Sequence, residues 1–408
     1  MGIKKIPKID DYWSTNIALG CPFISQIMTR SRFYKINRYL HLMDGNNMPP
    51  KGHPNYDPLY KVRSIIDHMK RKFGEWYKPE KCLSIDEAMI AYTGRLAFKQ
   101  YIPSKPTKWG IKVFEICESK SGYCMDFDVY TGKERQPASV NGLGFDVISS
   151  LMQRYLNRFH HVFVDRFFSG VPIFEYLLGS NTYACGTVML NRKGLPKQAK
   201  TTKLGRGASK FYQKADSNLV LTTWRDKRQV NILSTNCGDD VDENGRPASV
   251  AVYNQFMGGV DLGDQLSQYY KIGRSGHKWW RYIMFFCINT AITNAWLLYK
   301  ACHPNLRDAP VKTHMDFRLK LAEELKNGFS SRVRSIGRPP AHVRIPARVV
   351  ASVNGHDLIK IDGRSKSCKD CSQNGRRTAR NYKVQTIFKC KQCNVAMCKG
   401  RCFLNYHQ

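Results

Sequence analysis

From residue 81 onward, the hydrophobic pattern of the sequence alternates between strand-like segments and helices. The strand-like segments include CLSID at 82–86, KVFEIC at 112–117 and HHVFVD at 160–165, all rich in β-branched, aromatic or other apolar residues. A helical pattern, FDVISSLMQRYL at 145–156, precedes the last of these. Strands and helices in this order predict an α/β fold built on one sheet.

The segments on either side of this pattern differ from it. Residues 1–80 carry apolar side chains at helical spacing, as in Phe33, Ile36, Leu40 and Met43, whereas 190–247 combines a basic loop with a hairpin pattern typical of a β-rich insertion. Helical patterns return after 247, and a basic linker leads to a cysteine-rich end. The predicted segments are 1–80, 81–189, 190–247, 248–305, 306–365 and 366–408.

The net charge predicts a polyanionic partner. The 408 residues include 65 Lys and Arg against 32 Asp and Glu, a balance of +33, which favours nucleic acid first and an anionic membrane surface second. The apolar stretch from Ile283 to Tyr299 is short for a bilayer span and contains Asn289 and Asn294, so we expect a buried helix and no membrane anchor. The charged N-terminus lacks the apolar run of a signal peptide, which predicts a protein inside the cell.

Four aspartates stand out at element boundaries. Asp86 and Asp165 each end a strand-like segment, and Asp261 and Asp264 lie three residues apart in FMGGVDLGDQL, on a helix that a pair of glycines opens. Taken singly, each could be a turn residue or a helix cap. Together, they match the needs of a two-metal phosphoryl-transfer site, in which carboxylates hold two Mg²⁺ ions.

The C-terminal cysteines indicate zinc. Six of the fourteen cysteines fall in the last 41 residues, which fits a reducing compartment with one metal-binding module. Two CxxC pairs are followed by further possible ligands, so that the candidates are Cys368, Cys371, Cys390, Cys393, Cys398, Cys402 and His407. Seven donors exceed one tetrahedral site and are one short of two, so the number of zinc ions stays open. A structural zinc module that binds another protein is the alternative to one that binds DNA.

Several longer motifs occur in the same order as in the piggyBac transposase family, which the sequence resembles over nearly its whole length. They are SIDEAMIAYTGR (84–95), YIPSKPTKWGIKVFEICESKSGYCMDFDVYTG (101–132), VFVDRFFSG (162–170), YACGTVMLNRKGLP (183–196), MGGVDLGDQ (257–265) and the cysteine cluster. The resemblance implies an RNase H-like catalytic domain interrupted by the insertion and flanked by helical DNA-binding and dimerisation segments. It also implies a DDD triad at Asp86, Asp165 and Asp261, with Asp264 as a further acidic position.

The same resemblance implies an activity and its partners. Members of the family use Mg²⁺ to cleave transposon ends and join them at TTAA sites, as nuclear homodimers whose zinc module reads double-stranded terminal repeats. The alternative on the same scaffold is a domesticated DNA-binding protein without cleavage activity. A membrane-surface or RNA-binding protein would explain the charge but not the aspartates.

Basic residues near these motifs are the candidate DNA contacts. Some lie in KPTKWGIK or KIGRSGHKWWR, one lies in a GRPP motif similar to those that enter the minor groove, and two flank the zinc ligands. The candidates are Lys108, Lys112, Arg274, Lys278, Arg338, Arg376 and Arg377. For each of them, a solvated surface position is the simpler alternative.

Overall fold

The structure is a computed structural model that describes residues 2–103, 105–133, 138–274, 276–330 and 349–408. The chain divides into two compact units, Met1–Ser330 and Ser331–Gln408. The boundary falls inside the segment 306–365 that the sequence predicts as a linker. Arg338 and its GRPP motif lie outside the described residues.

The first 80 residues are helical, as their apolar spacing predicts. They form helices α1 Pro22–Ile27, α2 Arg30–Tyr39 and α3 Arg63–Trp76, with 3-10 turns at Ile9–Trp13, Gly45–Asn47 and Tyr60–Val62. The backbone of Leu40 is extended, with φ −63° and ψ 123°, so α2 ends before Leu40 and Met43, which the sequence places on its apolar face. Helix α3 buries Ile66 and Phe73 and packs against the sheet.

A mixed sheet of nine strands forms the centre of the first unit. Its strands are β1 Cys82–Ala91, β2 Gln100–Tyr101, β3 Trp109–Glu118, β4 Cys124–Val129, β5 His161–Val164, β6 Tyr183–Thr187, β7 Ser209–Gln213, β8 Val220–Arg225 and β9 Gln229–Ser234. The order is β2-β3-β1-β5-β6-β9-β8-β7, and β4 also pairs with β3. The α/β architecture that the sequence predicts is therefore confirmed.

The centre of this sheet is parallel, whereas its flanks are antiparallel. β5 runs parallel to both β1 and β6, and the remaining pairs are antiparallel. Parallel neighbours need a crossover. Helix α4, Leu143–Met152, leads into β5, and helix α5, Val171–Gly179, joins β5 to β6. Such central strands are covered on both faces, which explains the continuous apolar run Val162–Val164.

The segment 190–247 continues the same sheet. After the short helix α6, Gln198–Thr201, the hairpin β8–β9 forms as the sequence predicts, and β9 pairs with β6 through Gly186 and Leu233. β7 adds to β8 at the edge. The segment is rich in strands, and its strands are joined to the sheet by backbone hydrogen bonds.

The rest of the first unit is helical. It comprises α7 Ala248–Phe256, α8 Gly259–Tyr269, α9 Trp279–Cys302 and α10 His314–Lys326. Among the described residues, α9 is the one helix long and apolar enough to cross a membrane. Its buried residues include Asn289, Thr290 and Asn294, and it packs against α3, α8 and β1. The helix is thus part of the core, as the sequence predicts.

The second unit is small and cysteine-rich. Its elements are β10 Ala351–Val353, β11 His356–Lys360, β12 Lys366–Ser367, α11 Lys369–Gln373, β13 Gln385–Thr386, β14 Phe388–Cys390 and α12 Arg401–His407. β10, β11 and β14 form a three-stranded sheet. The strands at 351–360 thus belong to the same small fold as the cysteines, upstream of the expected start at 366.

Candidate active site and zinc clusters

The sheet places Asp86 and Asp165 side by side. Ile85 on β1 lies opposite Val164, the last residue of β5, and the next residue in each segment is an aspartate. Asp165 directly follows its strand as the sequence predicts, whereas β1 continues past Asp86 to Ala91, so the prediction that Asp86 ends a strand is wrong. Each carboxylate has one oxygen fixed by the backbone, because Oδ1 of Asp86 accepts from the amide of Glu87 at 2.7 Å and Oδ1 of Asp165 accepts from the amide of Phe167 at 2.8 Å. This leaves the other oxygen of each carboxylate available to a ligand.

Helix α8 adds two more carboxylates to the same place, because its first residue lies directly on the sheet. A methyl group built on Gly259 would lie 2.4 Å from Ser84 Oγ, 2.9 Å from Ser119 Cα and 3.0 Å from the Glu118 carbonyl oxygen. Only glycine allows this approach. Asp261 then lies in the first turn of α8, with Asp264 one turn further on.

Of the glycine pair, only Gly259 makes the close contact with the sheet. Gly258 precedes the helix with φ −86°, and a methyl group built on it would meet no atom within 4 Å. Gly263, within α8, makes a second close contact, because a methyl group there would lie 2.7 Å from the carbonyl oxygen of Gly122. The helix contacts the sheet region at two glycines, four residues apart; Asp261 lies between them, and Asp264 directly follows the second.

The four carboxylates influence one another, and cations of the protein do not neutralise them through contact. None of them forms an ion pair within 4.0 Å with a Lys, Arg or His of the described residues, in a chain of net charge +33. Burial, with a smaller contribution from the charges of Asp165 and Asp261, raises the pKa of Asp86 to about 6. Burial and the charge of Asp261 raise the pKa of Asp264 to about 6 as well. A divalent cation would relieve this repulsion.

We predict that the buried carboxyl of Asp264 lowers the free energy of unfolding at neutral pH, and that Asp264→Asn removes this loss. Well below its ordinary pKa of 3.8, the carboxyl of Asp264 is protonated in both the folded and the unfolded chain. As pH rises from 3.8 to about 6, the unfolded chain releases this proton while the folded chain keeps it, so stability is lost over that range. Asp264→Asn should therefore match the wild type at low pH and exceed its free energy of unfolding by about 3 kcal/mol at pH 7.5 without Mg²⁺. Urea unfolding at both pH values measures this, and an equal difference at both would contradict it.

Lys105 is a functional candidate that the sequence analysis did not single out. Its ammonium donates to the carbonyl oxygen of Glu87 at 2.9 Å, next to Asp86. Its charge lowers the pKa of Asp86, of Asp165 and of Asp264, so it lies within reach of the whole cluster. Its position in YIPSKPT, within one of the motifs, was the available signal. A cation here is placed to contact a phosphate that enters the site.

Two of the candidate DNA contacts are engaged inside the protein instead. Lys112 forms an ion pair of 2.6 Å with Glu87, and its side chain is only 12% exposed, since both lie in the strand pair β1 and β3. Arg274 donates to the carbonyl oxygens of Ile6 and Pro7 and so fixes the N-terminal segment. We therefore withdraw both as phosphate contacts. Lys108 and Lys278 are exposed.

The C-terminal unit gathers eight donors into two groups of four. Cys368, Cys371, Cys398 and Cys402 form one group, and His356, Cys390, Cys393 and His407 form the other, each with all donor atoms within 4.8 Å of one another. Each set of thiols and imidazoles matches the ligands of a tetrahedral zinc ion, so each group could hold one. The two groups interleave along the chain, and α12 supplies one ligand to each.

His356 is the eighth donor that the sequence analysis missed. Its Nδ1 lies 3.5 Å from Cys390 Sγ and 3.3 Å from Cys393 Sγ. His407 directs Nε2 at Cys393 Sγ, at 3.4 Å, while its Nδ1 hydrogen-bonds the carbonyl oxygen of Phe403. This second contact fixes the tautomer in which Nε2 is free to bind a metal. The seven donors found in the sequence were one short of two tetrahedral sites, which signalled that one was missing. His356 was hard to identify because it lies twelve residues before Cys368, the first cysteine of the cluster, and belongs to no short motif.

We predict that His356→Ala removes one zinc ion per chain. Loss of one ligand of four weakens its site, whereas the group of four cysteines keeps all of its donors. Zinc measured by mass spectrometry on purified full-length protein should fall by one equivalent relative to the wild type. His53→Ala, at an exposed position far from both groups in sequence, is the matched control and should leave the zinc content unchanged. Equal zinc in both variants would show that His356 is not a ligand.

The surface of the C-terminal unit is basic and unpaired. Exposed side chains around the zinc ligands include Lys366, Lys369, Arg376, Arg377, Arg380, Lys383 and Lys391. Within residues 349–408, no Lys or Arg forms an ion pair with an acidic side chain. Cations without internal partners are available to phosphate groups.

Comparisons with known proteins agree with the resemblance that the sequence motifs indicate. A family model described as "Transposase IS4" matches residues 1–296. Human PiggyBac transposable element-derived protein 3 is 26% identical over 430 aligned residues, which cover all of this chain and 68% of that protein. Human PiggyBac transposable element-derived protein 2 is 27% identical over 326 residues, which cover 74% of this chain and 53% of that protein. The chain thus spans between about half and two thirds of these relatives.

A solved structure shares the fold. The cryo-EM structure of a piggyBac transposase synaptic complex with hairpin DNA superimposes with a TM-score of 0.73 at 25% sequence identity. The match covers 98% of this chain and 85% of the other. Both units described above therefore have counterparts in that protein.

Proposed function

Since this chain belongs to the piggyBac transposase family, we propose that it is a DNA transposase that cleaves transposon ends and joins them to target DNA at TTAA sites. The observation that carries this proposal is the convergence of Asp86, Asp165 and Asp261 from two strands and a helix. They form a cluster without an ion-paired cation among the described residues. The catalytic residues of the proposed reaction are these three, with Asp264 beside them.

The donor set of the cluster fits Mg²⁺. Its ligands would be carboxylate oxygens, the hard donors that this ion prefers, and, after burial, the charge of Asp261 raises the pKa of both Asp86 and Asp264 despite the opposing charge of Lys105. When bound, a pair of Mg²⁺ ions supplies an activated attacking oxygen and a stabilised leaving oxygen. The residues of the chain orient the ligands: the amides of Glu87 and Phe167 fix the rotamers of Asp86 and Asp165, and Gly259 fixes the position of Asp261.

The fold of the proposed catalytic domain is RNase H-like, interrupted by residues 190–247. Support comes from Asp86 on β1 and Asp165 directly after β5, which lie where the pairing of these neighbouring parallel strands stops, and from a third aspartate on a helix that follows the extra strands β7 to β9. These extra strands lie between the second and third aspartates in the sequence. The helices of residues 1–80 and 306–330 would serve DNA binding and dimerisation.

We further propose that the partner is double-stranded DNA bearing terminal inverted repeats. The C-terminal unit, holding two Zn²⁺ ions, would bind it through Arg376, Arg377 and their exposed neighbours. In the first unit, Lys108 and Lys278 are the remaining exposed candidates. The proposed assembly is a homodimer, and the proposed location is the nucleus, where its substrate lies.

A cleavage assay tests the proposal. Purified protein is incubated with Mg²⁺ and duplex DNA that carries terminal repeats, recovered from the source genome, next to TTAA. Nicks at the repeat end, followed by joining to a TTAA target, are the expected products, and Asp165→Asn should yield none. Binding of the repeats without any cleavage would contradict a transposase. That result would support the alternative, a domesticated DNA-binding protein on the same scaffold.

A further inference from the structure

Beneath helix α8, strands β3 and β4 carry three buried polar side chains that neither the aspartates nor the zinc clusters use. Glu115 and Cys117 are alternate residues of β3 and so point to the same face, and Cys117 lies directly opposite Cys124 on β4. A carboxylate oxygen and the two thiol sulfurs lie within 4.8 Å of one another. The three residues are 3%, 0% and 3% exposed.

Glu115 is the unexplained member of this group. Oε1 of its carboxyl is buried and has no hydrogen-bond partner in the described part of the chain, and Glu115 forms no ion pair there. A carboxyl in this position is costly for a fold unless something binds it. The Glu115 carboxyl hydrogen-bonds the thiol of Cys124, and after burial the charge of Asp264, followed by that of Asp86 across the strand pair, raises its pKa. A cation at this point would satisfy the free oxygen.

The backbone that carries the Cys124 thiol is fixed by helix α9. Asn294 binds the backbone of Cys124 twice, accepting from its amide at 3.1 Å and donating to its carbonyl oxygen at 2.7 Å. On the side of α8, a methyl group built on Gly263 would lie 3.8 Å from the Cys117 sulfur, so the glycine leaves room beside this thiol. The fixed backbone at Cys124 limits the rearrangement that binding of an ion would require.

We propose that Glu115, Cys117 and Cys124 form a third metal site, for a thiophilic divalent ion such as Zn²⁺, directly beneath the helix that carries Asp261 and Asp264. Two sulfurs and one oxygen select zinc over Mg²⁺, which avoids thiolates. Tetrahedral zinc would separate its two sulfurs by about 3.8 Å, within the spacing of these donors. On binding, the ion replaces the protons of the two thiols and the carboxyl. A fourth position remains, as in zinc sites with three protein ligands.

Metal content tests the proposal on the full chain. The wild type is compared with Cys117→Ala/Cys124→Ala and with Cys185→Ala/Cys287→Ala, a double variant that removes two buried cysteines outside the group. After dialysis against a weak chelator, zinc is counted by mass spectrometry. The first variant should hold one zinc ion fewer per chain than both others. Because the two C-terminal groups are intact in all three proteins, the difference reports on the third site alone.

Glu115→Gln keeps the test decisive if the double variant does not fold. It preserves the size of the side chain and removes one metal-binding oxygen, so the zinc content should fall toward that of the double variant. Zinc content equal to the wild type in Glu115→Gln, or in a folded Cys117→Ala/Cys124→Ala, would overturn the proposal. So would a disulfide between Cys117 and Cys124, found by peptide mapping of freshly purified protein, since bonded sulfurs cannot hold the ion.

Discussion

Asp86→Asn should lower strand cleavage by about 10³-fold or more while leaving binding to duplex DNA intact. The amide keeps the size and the hydrogen bond from the Glu87 backbone but removes the charge that would hold Mg²⁺. The charges of both Asp165 and Asp261 act on Asp86, so the three share one cluster and loss of the Asp86 charge weakens metal binding by the whole cluster. Single-turnover cleavage of labelled repeat DNA, beside a gel-shift assay of binding, measures both quantities.

The matched control for this variant is Asp226→Asn, which neutralises an exposed aspartate in the turn between β8 and β9. It changes the net charge of the chain by the same amount, so any general effect on DNA affinity should appear in both variants. Cleavage by Asp226→Asn should stay within about twofold of the wild type. If both variants lose activity equally, net charge and not metal binding would explain the loss.

Gly259→Ala should lower cleavage by about 10²-fold and cost about 2 kcal/mol of stability. Its methyl group would lie 2.4 Å from Ser84 Oγ and within 3.0 Å of two backbone atoms, so α8 must move away from the sheet. Asp261 moves with the helix, and a displacement of about 1 Å is enough for such a loss. Cleavage rates and urea unfolding test the two effects, and an unchanged rate would show that α8 can shift without harm.

Gly258→Ala is the control that the sequence itself offers. The two glycines are neighbours, but a methyl group on Gly258 meets no atom within 4 Å, and its φ of −86° suits any residue. This variant should therefore change stability by less than about 0.5 kcal/mol and leave cleavage near that of the wild type. Equal damage from both substitutions would point to helix initiation and not to the close contact with Ser84.

The sequence alone could place the aspartates because their positions depend on local pattern. Each aspartate follows a run of apolar strand residues, and the parallel pairing of β1 with β5 brings the two together, although β1 continues past Asp86 to Ala91. The glycine pair shows the limit of this reasoning. The sequence indicates that the pair opens the helix, but only the packing of α8 on Ser84 distinguishes Gly259 from Gly258.

Contacts between segments far apart in the sequence could not be predicted. Lys112 looked like a free surface cation, because the register that brings it to Glu87 follows from the pairing of β1 with β3. His356 reaches the zinc ligands through the pairing of β11 with β14, which no short motif records. The hairpin β8–β9 could be recognised, but strand β7 and the pairing of β9 with β6 could not. In each case the deciding interaction joins residues far apart in the chain.

The central claim is that the aspartate cluster binds divalent metal, and Mn²⁺ binding tests it most directly. Mn²⁺ can stand in for Mg²⁺ at oxygen ligands, and the unbound ion is counted by electron paramagnetic resonance. Zinc-loaded wild type and Asp86→Asn are titrated at pH 7.5, where carboxyls with a pKa of about 6 are mostly ionised. The account predicts that the wild type binds one or two Mn²⁺ ions that the variant does not. Identical titrations of the two proteins would contradict it.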